Sequence, residues 1–376
     1  MDGVRDSKRL KTLIIGGGQA GLAVGYHLAT RRQPFVIVDA NHRTGDPWRM
    51  RWDSLRLFTP ARLNGLPGSP FPAPAWSFPT KDNMADFLET YAARFALPVR
   101  SRTTVEWLTR EGGRFVAKSG DRRIEADNVV VATGGYQSPR LPAFAGELDP
   151  GIVSLHSSQY RRPAQLQPGD VLVVGAANSG ADIALELAGS RQTWLAGRHP
   201  GSEPVRPGSV WDRLVTPPFW FAVSRTLTVR TRPGRRLRAE LLSRGHPLAR
   251  VKPKDLAAAG VQRLPRVVGV RNGRPVVEDG RVVDVPNVVW CTGFERDFSW
   301  IHLPVFDDDG QPLHDRGVVA AEPGLYFVGL PFLFTLTSSL VGGVGRDAEY
   351  IAEHIACRST TPRAPATSMI KSAANH

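Results

Sequence analysis

The chain has 376 residues, 41 % of them hydrophobic, and carries 48 basic against 35 acidic side chains, a formal charge of +13. That length and apolar content support two globular units with cores of their own. The two cysteines, Cys291 and Cys357, lie far apart and form no C-x-x-C pair, which leaves a redox-active dithiol mechanism unsupported. The positive charge invites a nucleic-acid reading, but only seven basic residues are lysine, and the densest stretch, Arg225 to Arg250, carries no recognisable nucleic-acid motif; no nucleic-acid partner is expected.

Met1 to Thr12 is short and basic without an apolar core, so no secretory signal is read there, and the scarcity of cysteine points to the cytoplasm. The first element is a strand, Leu13-Ile14-Ile15, that runs into Gly16-Gly17-Gly18-Gln19-Ala20-Gly21 and an amphipathic helix, Leu22 to Ala29. This is a dinucleotide fingerprint. Gly16 makes the tight turn, Gly18 lets the backbone approach a pyrophosphate, Gly21 lets helix pack on strand, and the helix N-terminus turns its N–H groups to the phosphates. The next strand, Phe35 to Val38, ends at Asp39. An acid about 20 residues past the glycines accepts the ribose hydroxyls of an adenosine without a 2′-phosphate, which fits FAD.

A further buried strand, Val129-Val130-Val131, enters a tight turn at Ala132-Thr133-Gly134-Gly135. The second fingerprint is Val171 to Val174 followed by Gly175-Ala176-Ala177-Asn178-Ser179-Gly180, with its helix at Ala181–Ala188 and its second strand at Thr193–Ala196. Ala177 stands where the middle glycine is expected, and its methyl moves the backbone slightly off a pyrophosphate. The strand ends in Gly197-Arg198-His199 instead of an acid. A cation at Arg198 suits a 2′-phosphate, hence NADPH. Two fingerprints, each with its own second strand, imply that FAD and NADPH meet in one electron-transferring enzyme.

Downstream, Pro217 to Val223 is apolar and precedes the arginine-rich stretch. A solvated or phosphate-facing patch is the plain reading of those arginines; peripheral contact with an anionic membrane surface is the other. Gly201 to Pro253 exceeds what a minimal nucleotide domain needs and is expected to form a substrate mouth or lid. Val288-Val289-Trp290-Cys291-Thr292-Gly293-Phe294 is the counterpart of the 129–135 stretch. Pro323 to Gly345 has no charge, but its prolines, glycines and hydroxyl residues read as a strand at Leu325–Val328, a loop and a helix start, not a membrane span. The fold class is therefore α/β, with two Rossmann-like dinucleotide-binding domains, the NAD(P)H domain inserted into the FAD domain. The expected limits are 1–166 and 286–357 for the FAD domain and 167–285 for the insert, with 358–376 a disordered tail rich in Thr, Pro, Ala and Ser. No metal site is read, because His156, His199 and His246 are scattered.

Together with Gly45-Asp46-Pro47-Trp48-Arg49, the run Trp52 to Pro60, His156 to Tyr160, Val251 to Asp255 and Gly345-Arg346-Asp347, these motifs resemble the flavin-containing monooxygenase-like family. The resemblance runs from Leu10 to about Ile355 and is specific for the superfamily, not for a substrate. It implies that FAD is held by Gly16, Gly18, Gln19, Ala20, Gly21 and Asp39, lies along Trp48 and Arg49 near Phe58, and meets the backbone of Val105 at its adenine. Thr133 and Gly134 would pack between the two domains. A helix opening near Gly345 would aim its N-terminus at the flavin's pyrimidine carbonyl, where the positive helix end favours reduced flavin. NADPH would be held by Gly175, Ala177, Asn178, Ser179, Gly180 and Arg198. The implied reaction is insertion of one oxygen atom from O2 into a small organic substrate through a flavin C4a-hydroperoxide, the cofactors carrying the chemistry.

Two departures from the family pattern bear on function. In its Phe-x-Gly-x-x-x-His-x-x-x-Tyr motif, His156 and Tyr160 are kept, but Pro150 and Ile152 occupy the first two positions; His156 reads as a linker residue ahead of any catalytic role. Where family monooxygenases carry an Asn beside the flavin, Phe58 stands here, although relatives in plant auxin synthesis also lack that Asn. An NADPH oxidase or flavin reductase without oxygen insertion, and a flavin redox sensor, are the rival readings.

Overall fold

The computed structural model describes residues 9–202, 208–244 and 247–360. β1 (Leu10–Ile15) is an inner strand, its apolar run buried on both faces as a parallel sheet requires. Gly16, at φ +111°, turns the chain into α1 (Gln19–Thr30), and β2 (Val36–Val38) returns parallel to β1. The short α2 (Asp46–Arg49) and α3 (Lys81–Arg94) follow, the latter started by a capping box between Thr80 and Asn83. β3 (Val99–Arg100) lies outside β2, while β4 (Trp107–Glu111) and β5 (Arg114–Ser119) form an antiparallel arm that leads into the long β6 (Arg122–Val131). The sheet order is β3-β2-β1-β6-β5-β4.

β7 (Ser138–Pro139) leaves this sheet. The second unit opens with β8 (Val153–His156), β9 (Val171–Val174), α4 (Asn178–Ala188) and β10 (Thr193–Ala196). Two helices, α5 (Val210–Thr226) and α6 (Arg232–Arg244), interrupt it before α7 (Pro253–Ala258) and β11 (Gln262–Leu264). After the hairpin of β12 (Val267–Arg271) and β13 (Arg274–Val277), β14 (Asn287–Trp290) enters the sheet, whose order is β11-β10-β9-β14-β8, parallel throughout. β15 (Phe294–Glu295) then pairs antiparallel with β7, so the outgoing and returning chains run side by side. β16 (Leu325–Phe327) lies parallel to the end of β6, and α8 (Val341–Thr360) packs along α1, where Arg31 reaches Glu353 at 2.9 Å.

The strand period of two assigns the core. Ile14 faces the cluster under α1, α3 and α8, whereas Leu13 and Ile15 face the opposite one, against Val129, Val131 and Phe327. In the second sheet Leu172, Val174, Val288 and Trp290 pack on Leu148, Val267 and Val277. The Trp290 indole is fully buried and donates its Nε1–H to Ser154 Oγ at 2.8 Å.

One unit is inserted in the other, but at limits other than those expected. Both β8 and β14 belong to the second sheet, with Trp290 opposite His156 and Val174, so limits at 166/167 and 285/286 would cut off its two strands on that side. The segment before β8 belongs there too: Asp149 N–H donates to Gly273 O at 2.9 Å, and Phe144 meets Trp290 edge-on. At the other end α8 continues through Thr360, so residues 358–360 are helical; the rest of the expected tail lies outside the described residues, as does His246. The uncharged 323–345 stretch is strand, loop and helix start, and no helix among the described residues is long and apolar enough to cross a membrane.

Candidate dinucleotide sites

The first site is built where β1 gives way to α1. A Cβ on Gly16 would lie 2.5 Å from Ala132 O, and one on Gly21 only 1.9 Å from Gly16 O, so both glycines are steric requirements of the turn. Gly18 is different. Its φ of −79° suits any residue, and a Cβ there would meet nothing within 4 Å. A side chain at Gly18 would fill open space in front of the helix N-terminus. α1 has no side-chain N-cap and no acid in its first turn, in contrast to α3 and to α5, which is capped by Ser209. Its first N–H groups, from Gly18 through Gly21, therefore have no partner supplied by a cap. Asp39 lies against the same turn: Oδ2 accepts from Gly17 N–H at 2.5 Å, and Oδ1 accepts from the N–H and the side-chain amide of Asn41 at 2.8 Å each. Thr103 N–H donates to Asp39 O, and Arg102 N–H to Asn41 O, which brings the loop carrying Val105 beside that acid. Open space, uncapped N–H groups and an acid at the strand end fit an adenosine diphosphate moiety.

The second site repeats the first. Gly175, at φ +108°, would put a Cβ 2.3 Å from Cys291 O, as Gly16 would meet Ala132 O, and Gly180 would clash with Gly175 O at 1.7 Å. Ala177 is exposed at φ −81° and ψ −171°, the conformation that Gly18 holds at −79° and −171°. The glycine-to-alanine exchange thus costs no backbone strain and only narrows the space in front of α4, which is also uncapped. Behind each turn an Asn anchors the crossing strand: Asn128 donates to Lys11 O, and Asn287 to Gln167 O and Asp170 O. Arg198 is exposed and has no ion-pair partner among the described residues. Beside it Arg263, also exposed, donates to Gly197 O at 2.6 Å. Sequence reasoning passed over this second cation, because it comes from β11, some 65 residues further on.

Three expected site residues are engaged differently. The Arg49 guanidinium faces carboxylates, with Asp46 at 3.1 Å, Asp86 at 3.0 Å and Glu89 at 2.7 Å, so it ties α2 to α3; Trp48 packs half-buried on the core. The Asn178 amide donates to Pro247 O and accepts from Ala249 N–H, both at 3.0 Å, and so pins the chain returning from α6. Gly345 lies in the second turn of α8, where a Cβ would stand 2.8 Å from Pro67. The helix opens earlier, at Val341-Gly342-Gly343, and the glycines are there because Leu63 O and Thr337 O come within 2.0 Å of where side chains would be.

The junction between the units is hydrogen-bonded through residues the motifs only bracketed. Gln137 donates to Thr133 Oγ1 at 2.8 Å and to Gly134 O at 2.9 Å, and accepts from Asp297 N–H at 3.0 Å. His156 Nδ1 accepts from Ser158 N–H, so Nε2 carries the proton and donates to Gly293 O at 3.0 Å. Burial holds its pKa below the ordinary histidine value, with Arg51 acting in the same direction. A neutral, doubly hydrogen-bonded imidazole is a fastener of the linker. Arg51 stacks near the rings of Tyr136 at 5.2 Å and Phe294 at 5.0 Å. Phe58 projects with 43 % of its surface exposed.

The pyridine nucleotide-disulphide oxidoreductase family matches residues 13–205. The chain belongs to that family, in its flavin-containing monooxygenase-like branch, and is a flavin-dependent enzyme of the class B type. An uncharacterized CzcO-like oxidoreductase from Geobacillus kaustophilus is 40 % identical over 91 % of this chain and 97 % of its own length. Indole-3-pyruvate monooxygenase YUCCA1 of rice, Oryza sativa subsp. japonica, is 35 % identical over 46 % of this chain and 44 % of its own. Among solved structures, a doubly substituted flavin monooxygenase from Stenotrophomonas maltophilia is 26 % identical and superposes with a TM-score of 0.76 over 93 % of this chain and 99 % of that one.

Proposed function

We propose that the chain is an NADPH-dependent FAD monooxygenase acting on a small organic substrate. FAD would sit on the first turn and NADPH on the second. When bound, the flavin supplies hydride acceptance from NADPH and activation of O2 for transfer of one oxygen atom to the substrate. The reading is carried by one observation, the matched pair of uncapped helix N-termini, each behind a glycine turn crossed by a backbone carbonyl.

The chain's own residues bind and orient. The N–H groups at the start of α1 and α4 would meet the two pyrophosphates. Asp39 would accept from the FAD ribose, and Arg198, with Arg263 beside it, would meet the NADPH 2′-phosphate. Gln137 and His156 hold the crossing strands in register, which sets the distance between the two cofactors' sites. The first turns of α8 would face the flavin's carbonyl edge. Phe58 would exclude water but cannot donate a hydrogen bond, and this favours a second reading, an NADPH oxidase that releases hydrogen peroxide. The test is anaerobic reduction with NADPH, followed by 18O2 in the presence of methyl phenyl sulfide as an oxygen acceptor. Sulfoxide carrying one 18O supports oxygen insertion; stoichiometric hydrogen peroxide with no labelled sulfoxide selects the oxidase.

A further inference from the structure

We propose that α5 and α6 form a docking surface for an anionic lipid membrane. α5 has two sides. Asp212, Thr216 and Val223 recur at helical spacing on the inner one: Asp212 is buried and accepts from Gly208 N–H at 2.8 Å and from the Thr216 hydroxyl, and Val223 is 3 % exposed. The carbonyl of the next residue, Ser224, accepts from Arg346 of α8, and the turn after the helix bridges Thr228 to Thr335. The helix is thus clamped to the first unit along one side.

The other side carries large apolar side chains that stay exposed among the described residues. Val210 and Trp211 are each 71 % exposed, Leu214 62 %, Phe219 58 % and Phe221 57 %. A contiguous exposed apolar face of this kind marks an interaction site. Its charge selects the partner. Arg225 falls in the same helical row as Leu214 and Phe221, and its guanidinium lies 4.1 Å from the Phe221 ring centre. α6 follows directly with Arg232, Arg235, Arg236 and Arg238 all exposed. Residues 208–244 hold eight arginines against Asp212 and Glu240, 8 − 2 = +6.

Aromatic and aliphatic side chains beside arginines match an interface whose outer layer is anionic and whose inner layer is hydrocarbon. A second copy of the chain would bring two segments of +6 together across a two-fold axis, and like charge opposes that. A nucleic acid offers phosphates but nothing for Val210, Leu214 and Val215 to enter.

The holoenzyme is sedimented with vesicles of phosphatidylcholine alone and with vesicles containing about 30 % phosphatidylglycerol. It should pellet with the anionic vesicles, not with the neutral ones, and be released at about 0.5 M NaCl. Neutralising Arg232, Arg236 and Arg238 to Gln should weaken partitioning about a hundredfold. Trp211→Ser with Phe219→Ser and Phe221→Ser should weaken it more than about tenfold. Bound FAD and a cooperative melt confirm that each variant is folded; if the triple serine variant fails this check, Trp211→Ser alone is used. The proposal is overturned if the folded enzyme stays in the supernatant with anionic vesicles. It is equally overturned if the serine variant pellets like the native enzyme, since adsorption would then be purely electrostatic. A concentration-dependent dimer abolished by the same substitutions would assign the face to a second copy and overturn it as well.

Discussion

Gly18 and Gly21 sit three residues apart and carry different kinds of constraint. At Gly21 a methyl would stand 1.9 Å from Gly16 O, a clash that moves the helix off the strand; Gly21→Ala should cost about 3 kcal/mol or more and yield little folded protein. At Gly18 the same methyl meets nothing and the backbone is unstrained, so Gly18→Val should fold. It should nevertheless lose FAD by at least about tenfold, because the branched side chain occupies the space in front of α1. Flavin absorbance per chain, read beside a melting curve, separates the two; a Gly18→Val enzyme with full flavin refutes the placement. For Arg198, a charge-assisted contact with the 2′-phosphate predicts that Arg198→Ala raises the KM for NADPH about tenfold or more and leaves NADH nearly unchanged. Equal losses for both cofactors would assign Arg198 to folding. Gly16, Gly21, Gly175 and Gly180 are legible in sequence because the backbone of each turn demands them, while Asp39 and Arg198 are read from where their strands end. Arg49 and Asn178 rest on motif position alone, and position in a motif does not say which neighbour takes the side chain: for Arg49 it is the acids of α3, for Asn178 the chain returning from α6.

At the scale of elements, the apolar runs of β1, β9, β10 and β14 and the glycine turns that follow announce themselves, since a buried parallel strand has little choice of composition. The β4–β5 arm and the α5–α6 insert do not. Their placement depends on contacts distant in sequence, such as Leu108 N–H to Trp300 O and Arg346 to Ser224. One such contact is the pair of Asp182, on α4, with Arg250, 2.9 Å apart, which fixes the end of the insert. Burial pushes the Asp182 carboxyl up to about 6, against the pull of Arg250. Arg250→Ala leaves that carboxylate nearly buried and unpaired, at a cost of about 2–3 kcal/mol, below what a fully buried pair would cost because Arg250 keeps some contact with water. The sign of the pH dependence follows. A carboxyl whose folded pKa lies above its unfolded value binds a proton more readily in the folded state, so stability is gained as pH falls through about 6 toward the ordinary carboxylate range. The melting deficit of Arg250→Ala against the native enzyme should be largest near about pH 8 and shrink by at least half near about pH 5. A deficit independent of pH would mean that Arg250 acts through packing and not through Asp182.

The whole molecule is one plan used twice. In each unit a glycine turn is crossed by a carbonyl, Ala132 or Cys291, just past a strand that carries a buried Asn three residues before its end and runs on into Thr-Gly. The sequence displays this repeat, but not where one unit stops. Val153 to His156 has no glycine turn and reads as linker until its pairing with β14 is seen. Completeness of the sheet therefore decides which piece of chain folds alone. A fragment of residues 141–292 keeps β8 and β14, the Phe144–Trp290 contact and the Asp149–Gly273 hydrogen bond. A fragment of residues 167–285 loses both strands, exposes the edge of β9 and removes Val288, Val289 and Trp290 from two cores. Each of those side chains is at most 1 % exposed, and burying one is worth about 1.5–3 kcal/mol, so their joint loss rivals the whole stability of a small domain. The longer fragment should show a cooperative thermal transition and dispersed amide resonances; the shorter should show neither. The longer fragment should also bind NADPH without FAD, since the second turn, Arg198 and Arg263 all lie within it. A cooperative 167–285 fragment would place the boundary back between β8 and β9 and make β14 a part of the first unit's return. Two unfolded fragments would instead mean that the second unit depends on the clamp between α5 and α8.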